Sequence, residues 1–211
     1  MSSVFKMNRN EKRSSRLLAL QLMYANEISD VQIEDFFEQL FNILPLEDEK
    51  LDKHAILSIL DIKCDMALSI LPKSFCEKFN LMRKELDKKN ENEIISAINN
   101  FQDKLNRFKK NIQKYALQLV KVSMKNVNKL DNEIISRSKN WDSERITLMD
   151  KLILRLVIAE ILFIDHVPPK VSMAEGIEIA KTMSTKDSSA FVNGILDSFY
   201  NDWSNKTVDI N

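Results

Sequence analysis

Between Ile146 and Ile164 the apolar positions run almost all the way round a helical wheel. From Lys151 onward, Leu152, Ile153, Leu154, Leu156, Val157, Ile158, Ile161, Leu162 and Phe163 leave only Lys151, Arg155 and Glu160 as polar interruptions. A helix apolar on every side belongs in the middle of a bundle or in a membrane. Three charges break a run that would need about 20 mostly apolar residues to span a bilayer. The pattern therefore predicts a central core helix, N-capped by Asp142 or Ser143 after Trp141.

Pro168 and Pro169 are expected to end that helix, since neither can donate the backbone hydrogen bond that would continue it. Ser172 and Glu175 have the spacing of a capping box at the start of the next helix. That helix is expected to bury Met173, Ile177 and Ala180 and to stop in the polar run 184–189. A last helix carries Phe191, Val192, Ile195, Leu196 and Phe199 at helical spacing. Gly194 sits inside it, where glycine costs about 1 kcal/mol relative to alanine. The expected compensation is another helix packed closely against its missing side chain.

Towards the N-terminus, a helix is predicted from Ser14 or Ser15, with Leu17, Leu20, Tyr24 and Ile28 in one stripe and Leu18, Leu22 and Ala25 beside it. Residues 31–44 hold Ile33, Phe36, Phe37, Leu40, Phe41 and Leu44, an amphipathic helix closed by Pro45. Residues 51–71 read as another, up to Pro72, with His54 as a surface histidine. From Ile98 the apolar positions are Phe101, Leu105, Phe108, Ile112, Tyr115, Leu119 and Val122, alternating steps of 3 and 4. This is the spacing of a coiled-coil seam. An intramolecular helix pair is the simpler reading of it, and a dimer seam the sharper one.

Composition narrows the fold. The chain has 211 residues, 2 Gly and 4 Pro, and both glycines lie in the C-terminal third. Tight β-turns lean on Gly, Asn and Pro, so a sheet-rich fold is improbable and an all-α fold is expected. Cys64 and Cys76 lack metal-ligand spacing to any histidine pair and read as small buried or half-buried residues. No metal or cofactor is expected. Without a signal peptide or an apolar 20-mer, the sequence reads as soluble and cytoplasmic, with no membrane association.

Candidate chemistry is sparse. There is no Gly-rich phosphate loop, HExxH, CxxC or nucleophile elbow, so no catalytic residue is assigned and an enzyme is not expected. Basic and acidic residues balance at 31 each, so any nucleic-acid binding has to come from local charge. The first 16 residues supply it: Lys6, Arg9, Lys12, Arg13 and Arg16 against one acid, Glu11. If the following helix extends back over them, Lys6, Arg9, Arg13 and Arg16 share a face. Such an arm suits an RNA backbone. A solvated tail is the plainer alternative, and a mitochondrial transit peptide the weaker rival.

The C-terminal segments DKLILRLVIAEIL, VPPKV, EIAK and above all KDSSAFVNGILD resemble the NusB family of bacterial transcription antitermination factors. The N-terminal RSSRLLALQLMYA is similar to the family's opening helix. The resemblance implies an all-helical fold of two small bundles packed together. It also implies binding of a short single-stranded boxA-type RNA, usually with the ribosomal small-subunit protein NusE, within an RNA polymerase antitermination complex. Single-stranded RNA is held by cationic phosphate contacts and by aromatic stacking of splayed bases. Arg13 and Arg16 match the family's N-terminal arginines, with Arg9 and Lys12 in the same basic arm, and Tyr24 matches its tyrosine. Asp187, Ser188 and Phe191 match its DSxxF segment beside the RNA, where Phe191 either stacks on a base or belongs to the core. Glu144 and Asp150 match acidic positions that dock the ribosomal partner.

The chain departs from the family pattern at Ala174 and Gly176, where Asn and Ala are preferred, at Met183–Ser184 in place of Phe-Gly, and at Ala190 in place of a basic residue. The expectation is one NusB-like domain over 1–211, with a basic arm at 1–16, an extended helical middle at 45–140 and signature helices at 141–203. The free protein is expected to be a monomer or homodimer. A helical protein–protein scaffold that has lost RNA binding is the alternative.

Overall fold

A computed structural model describes residues 7–29, 73–86, 88–138, 146–185 and 187–205. Every regular element among them is a helix: α1 (Arg9–Ile28), α2 (Lys73–Leu86), α3 (Glu91–Lys125), α4 (Val127–Arg137), α5 (Leu148–Phe163), α6 (Pro169–Met183) and α7 (Ser188–Ser204). The all-α expectation holds. The helices expected over 31–44 and 51–71 lie outside the described residues, as do His54, Cys64, Trp141 and Glu144. The chain divides into two compact units, Met1–Leu18 with Val31–Tyr115, and Ala19–Asp30 with Ala116–Asn211.

In the first unit, α1 begins at Arg9, five residues ahead of the earliest start expected from the apolar stripe. A capping box explains this. The Asn8 N–H donates to Glu11 Oε2 at 2.9 Å and the Glu11 N–H to Asn8 Oδ1 at 3.0 Å, so two of the orphan amides at the helix start are satisfied. The same device starts α3, where Asn90 and Glu93 exchange bonds of 3.1 and 3.0 Å. The 35-residue α3 carries the seam read from the sequence. Ile112, Tyr115 and Leu119 are buried, and Phe108 and Val122 are half-buried.

The second unit is built round α5, which packs against α4, α6 and α7, while α6 and α7 pack on each other. Leu152, Ile153, Leu154, Leu156, Val157, Ile158, Ala159, Ile161 and Leu162 are all buried, as an all-round apolar pattern requires. Arg155 and Glu160, the polar interruptions, are buried with them. On α7 the whole predicted stripe of Phe191, Val192, Ile195, Leu196 and Phe199 is buried.

Helix ends differ from the sequence reading. Thr147 caps α5, its Oγ1 accepting the Asp150 N–H at 3.1 Å, so neither Asp142 nor Ser143 is the cap. The helix already stops at Phe163, and the prolines open α6 instead of closing α5. Pro169 occupies the first helical position, where a missing N–H costs nothing and φ is preset. Ser172 and Glu175 consequently fall inside α6, buried, and make no capping box. In α1 the burial centres on Leu18, Ala19, Leu22 and Met23, and Ile28 is 60% exposed, so the stripe ends before it.

The close helix approach expected at Gly194 occurs at the other glycine. Gly194 is exposed. At Gly176 an added Cβ would overlap Cγ2 of Val157 and lie 3.8 Å from Cδ1 of Leu196, so α6 approaches α5 across the missing methyl. The two glycines should therefore respond oppositely to alanine. Gly194→Ala is expected to stabilise the fold by up to about 1 kcal/mol through helix propensity. Gly176→Ala is expected to destabilise it by about 1–3 kcal/mol through overpacking, with recovery when Val157→Ala is added. Urea unfolding of the variants measures both.

Candidate nucleic-acid interface

The basic arm is helical in its described part. Burial rises along it: Arg9 is exposed, Lys12 and Arg13 are half-buried, and Arg16 is only 2% exposed. Helical spacing alone puts Arg9, Arg13 and Arg16 on one face. The face sinks into the protein towards the second turn of the helix, where Ser14 and Ser15 are buried as well. Ser15 Oγ donates to Glu11 O at 2.8 Å and to Ile112 O at 3.2 Å, binding α1 to α3. Glu11 also accepts from Asn111 Nδ2 at 2.8 Å. The one acid of the arm is thereby engaged in holding the helix start. Of the arm's cations Arg9 is the most exposed, and Arg16 is placed as a core side chain.

The DSxxF segment lies in the second unit, at the start of α7, and its three residues have different fates. Asp187 precedes the helix, exposed, and makes no side-chain cap bond. Ser188 is buried, and Phe191 is 6% exposed, within the apolar stripe of α7. Its ring belongs to the core, so the stacking role is not supported by its placement. Tyr24, on α1, is half-buried in this unit.

Asp150, expected at a protein-docking surface, is 2% exposed. Ser184 Oγ donates to its Oδ1 at 2.7 Å and Ser188 Oγ to its Oδ2 at 3.1 Å. Ser188 Oγ is also 2.9 Å from Ser184 Oγ and 2.6 Å from Thr185 Oγ1, and it accepts the Thr185 N–H at 3.1 Å. Thr147 Oγ1 completes the cluster, 3.3 Å from Ser184 Oγ. The residue matched to partner docking and the serine matched to the RNA segment are thus joined in one buried network. Sequence spacing gave no sign of this, because 38 positions separate them.

A second network was also absent from the sequence reading. Buried Arg155 makes a two-point contact with Asp131, Nε to Oδ1 at 2.7 Å and Nη2 to Oδ2 at 2.8 Å, and Nη1 meets Glu27 Oε1 at 2.6 Å. Lys151 Nζ reaches Asp131 Oδ2 at 3.0 Å. These bonds tie α1 and α4 to the central helix. Burial raises the Asp131 carboxyl, but hydrogen bonds and charge attraction from Arg155 and Lys151 outweigh it and hold it below the ordinary 3.8. The bond to Asp131 raises the Arg155 guanidinium against the effect of burial, with Glu27 adding to it. Lys151 and Arg155, four apart on an otherwise apolar helix, were the signal that could have announced an acidic partner. At the α4–α7 contact, Arg137 meets Asp202 at 2.7 Å and lies 5.4 Å from the Phe199 ring centroid.

Among the described residues no group of three or more His, Cys, Asp or Glu side chains is placed to hold a metal ion, and no helix is long and apolar enough to cross a membrane. Residues 75–201, more than half of the chain, match the family model described as "NusB family". The chain belongs to the NusB family. It is 44% identical over 94 residues to the transcription antitermination protein NusB of Chloroherpeton thalassium, covering 44% of this chain and 44% of that protein. Proteins of the same name from Natranaerobius thermophilus and Thermodesulfovibrio yellowstonii are each 42% identical, over 91 and 86 residues. Those stretches cover 43% and 41% of this chain, and 66% and 57% of the relatives. The chain thus spans less than two thirds of the length of each.

The Asp131 network makes a pH prediction. A carboxyl whose folded pKa is lowered stabilises the fold above its unfolded value, and that contribution is lost as pH falls through the folded one. Asp131→Asn should therefore cost stability at pH 7, about 1.5–3 kcal/mol for lost hydrogen bonds to a charged group, since Asp131 is half-buried and Arg155 keeps Glu27. The gap to the wild type should close below pH 3.8. Urea unfolding across pH 2–7 tests this.

Proposed function

We propose that the protein is a non-catalytic RNA-binding factor that nucleates a transcription antitermination complex. It binds boxA-type single-stranded RNA together with the ribosomal small-subunit protein NusE and joins RNA polymerase through that complex. The observation that carries this reading is family membership, with matched relatives named as antitermination proteins. The cations at the start of α1 support it: exposed Arg9 and half-buried Lys12 and Arg13 sit on a helix whose start is fixed by the Asn8–Glu11 box, and cations of this kind meet phosphates.

A second reading, a helical protein–protein scaffold without RNA binding, draws on specific placements. Arg16, Ser188 and Phe191 are all buried, which speaks against three of the contacts that the resemblance implied. What is left for RNA is a smaller set, Arg9, Lys12, Arg13, Tyr24 and Asp187.

Fluorescence anisotropy of a labelled boxA-type RNA, with and without NusE, at several salt concentrations separates the two. The RNA reading expects salt-sensitive binding that tightens with the ribosomal protein. Arg9→Glu with Arg13→Glu should lower the log–log salt slope by about 0.7 for each lost phosphate contact. Absence of binding by folded protein under all conditions selects the scaffold.

A further inference from the structure

We infer that Asp150 is a positioning residue for the turn between α6 and α7, and that it works from inside the protein, not as a surface docking group. The inference deepens the RNA reading above and rests on it. Helix α6 ends at Met183 and α7 begins at Ser188, so the connection is short. Both ends of it are tied to one carboxylate. Ser184, the C-cap of α6, bonds Oδ1 of Asp150, and Ser188, the first residue of α7, bonds Oδ2. Inside the turn the Thr185 N–H and Oγ1 both meet Ser188 Oγ. A buried carboxylate needs its lone pairs filled, and here hydroxyls from the two helices fill them.

The consequence falls on Asp187. An acid in front of a helix ordinarily turns its carboxylate onto the first amides. Here it makes no such bond. The hydrogen bonds that fix the start of α7 come from Ser184, Thr185, Ser188 and Asp150, so the exposed Asp187 is presented without being used to cap. Asp150 in turn is held by its own helix, whose cap Thr147 accepts the Asp150 N–H and lies against Ser184. The most buried helix of this unit thereby sets the orientation of its one exposed DSxxF residue.

Two readouts test this on the full chain. In Asp150→Asn, the Thr185 amide should exchange with solvent at least about tenfold faster, as opening of the local cluster becomes easier; unchanged exchange overturns the inference whatever happens to RNA. In a double-mutant cycle with Asp187→Ala, scored by boxA RNA affinity, Asp150→Asn should weaken binding by about fivefold to tenfold alone and have little further effect once Asp187 is gone. Additive losses overturn the positioning role, as general destabilisation would produce them. So does a selective loss of NusE affinity with RNA binding intact, which restores the docking role. A wild type that binds no RNA sinks the RNA reading itself, and amide exchange then still shows separately whether Asp150 holds the turn. Should Asp150→Asn fail to fold, Ser184→Ala removes the 2.7 Å bond to Asp150 together with the Ser184 hydroxyl contacts to Ser188 and Thr147, leaves Ser188 on the carboxylate and gives the same readouts at smaller amplitude.

Discussion

The second unit depends on the burial of α5 on every side. A helix with no solvent face has no place to put a charge in water, so each polar group on it has to be answered by a neighbour. Arg155 is answered by Asp131 and Glu27, and Asp150 by Ser184 and Ser188. These pairings decide which parts of α1, α4, α6 and α7 meet the central helix, and at what height. Apolar contact alone is tolerant of sliding; a two-point guanidinium–carboxylate contact is directional and is not.

The same constraint explains why residues with the right chemistry for RNA or partner contacts are placed inside. The hydroxyls of the DSxxF region are consumed in satisfying Asp150, and Phe191 supplies apolar area to the face that α7 buries. Of the three DSxxF positions, Asp187 is the one that packing leaves exposed. Asp187 sits one residue away from Ser188, which the buried network fixes.

Gly176 shows how local sequence and packing are linked. This chain has glycine there, opposite Val157. A methyl on α6 and the branched Val157 side chain cannot both occupy the gap, so the missing Cβ is matched by the fuller neighbour. The compensation anticipated for a helical glycine is present, but at the position where two helices approach and not at Gly194, which faces outward.

Periodicity by itself determined the all-α class, the central place of α5, the buried stripe of α7 and the seam of α3, because each rests on apolar positions repeating within one helix. Motif spacing carried the family, which the match over residues 75–201 then showed. Helix ends were legible only in part: the polar run after Met183 stopped α6 as read, but Thr147 and not Asp142 or Ser143 capped α5, since that cap is also set by a bond to Ser184. The candidate site was least legible. Arg9 and Arg16 are alike in sequence, one exposed and one buried, and Asp150 and Asp187 likewise. Whether a charged side chain meets water depends on which residues, distant in the chain, close over it. That information lies in the pairing of elements such as Asp150 with Ser188 and Arg155 with Asp131, and only the tertiary structure decided it.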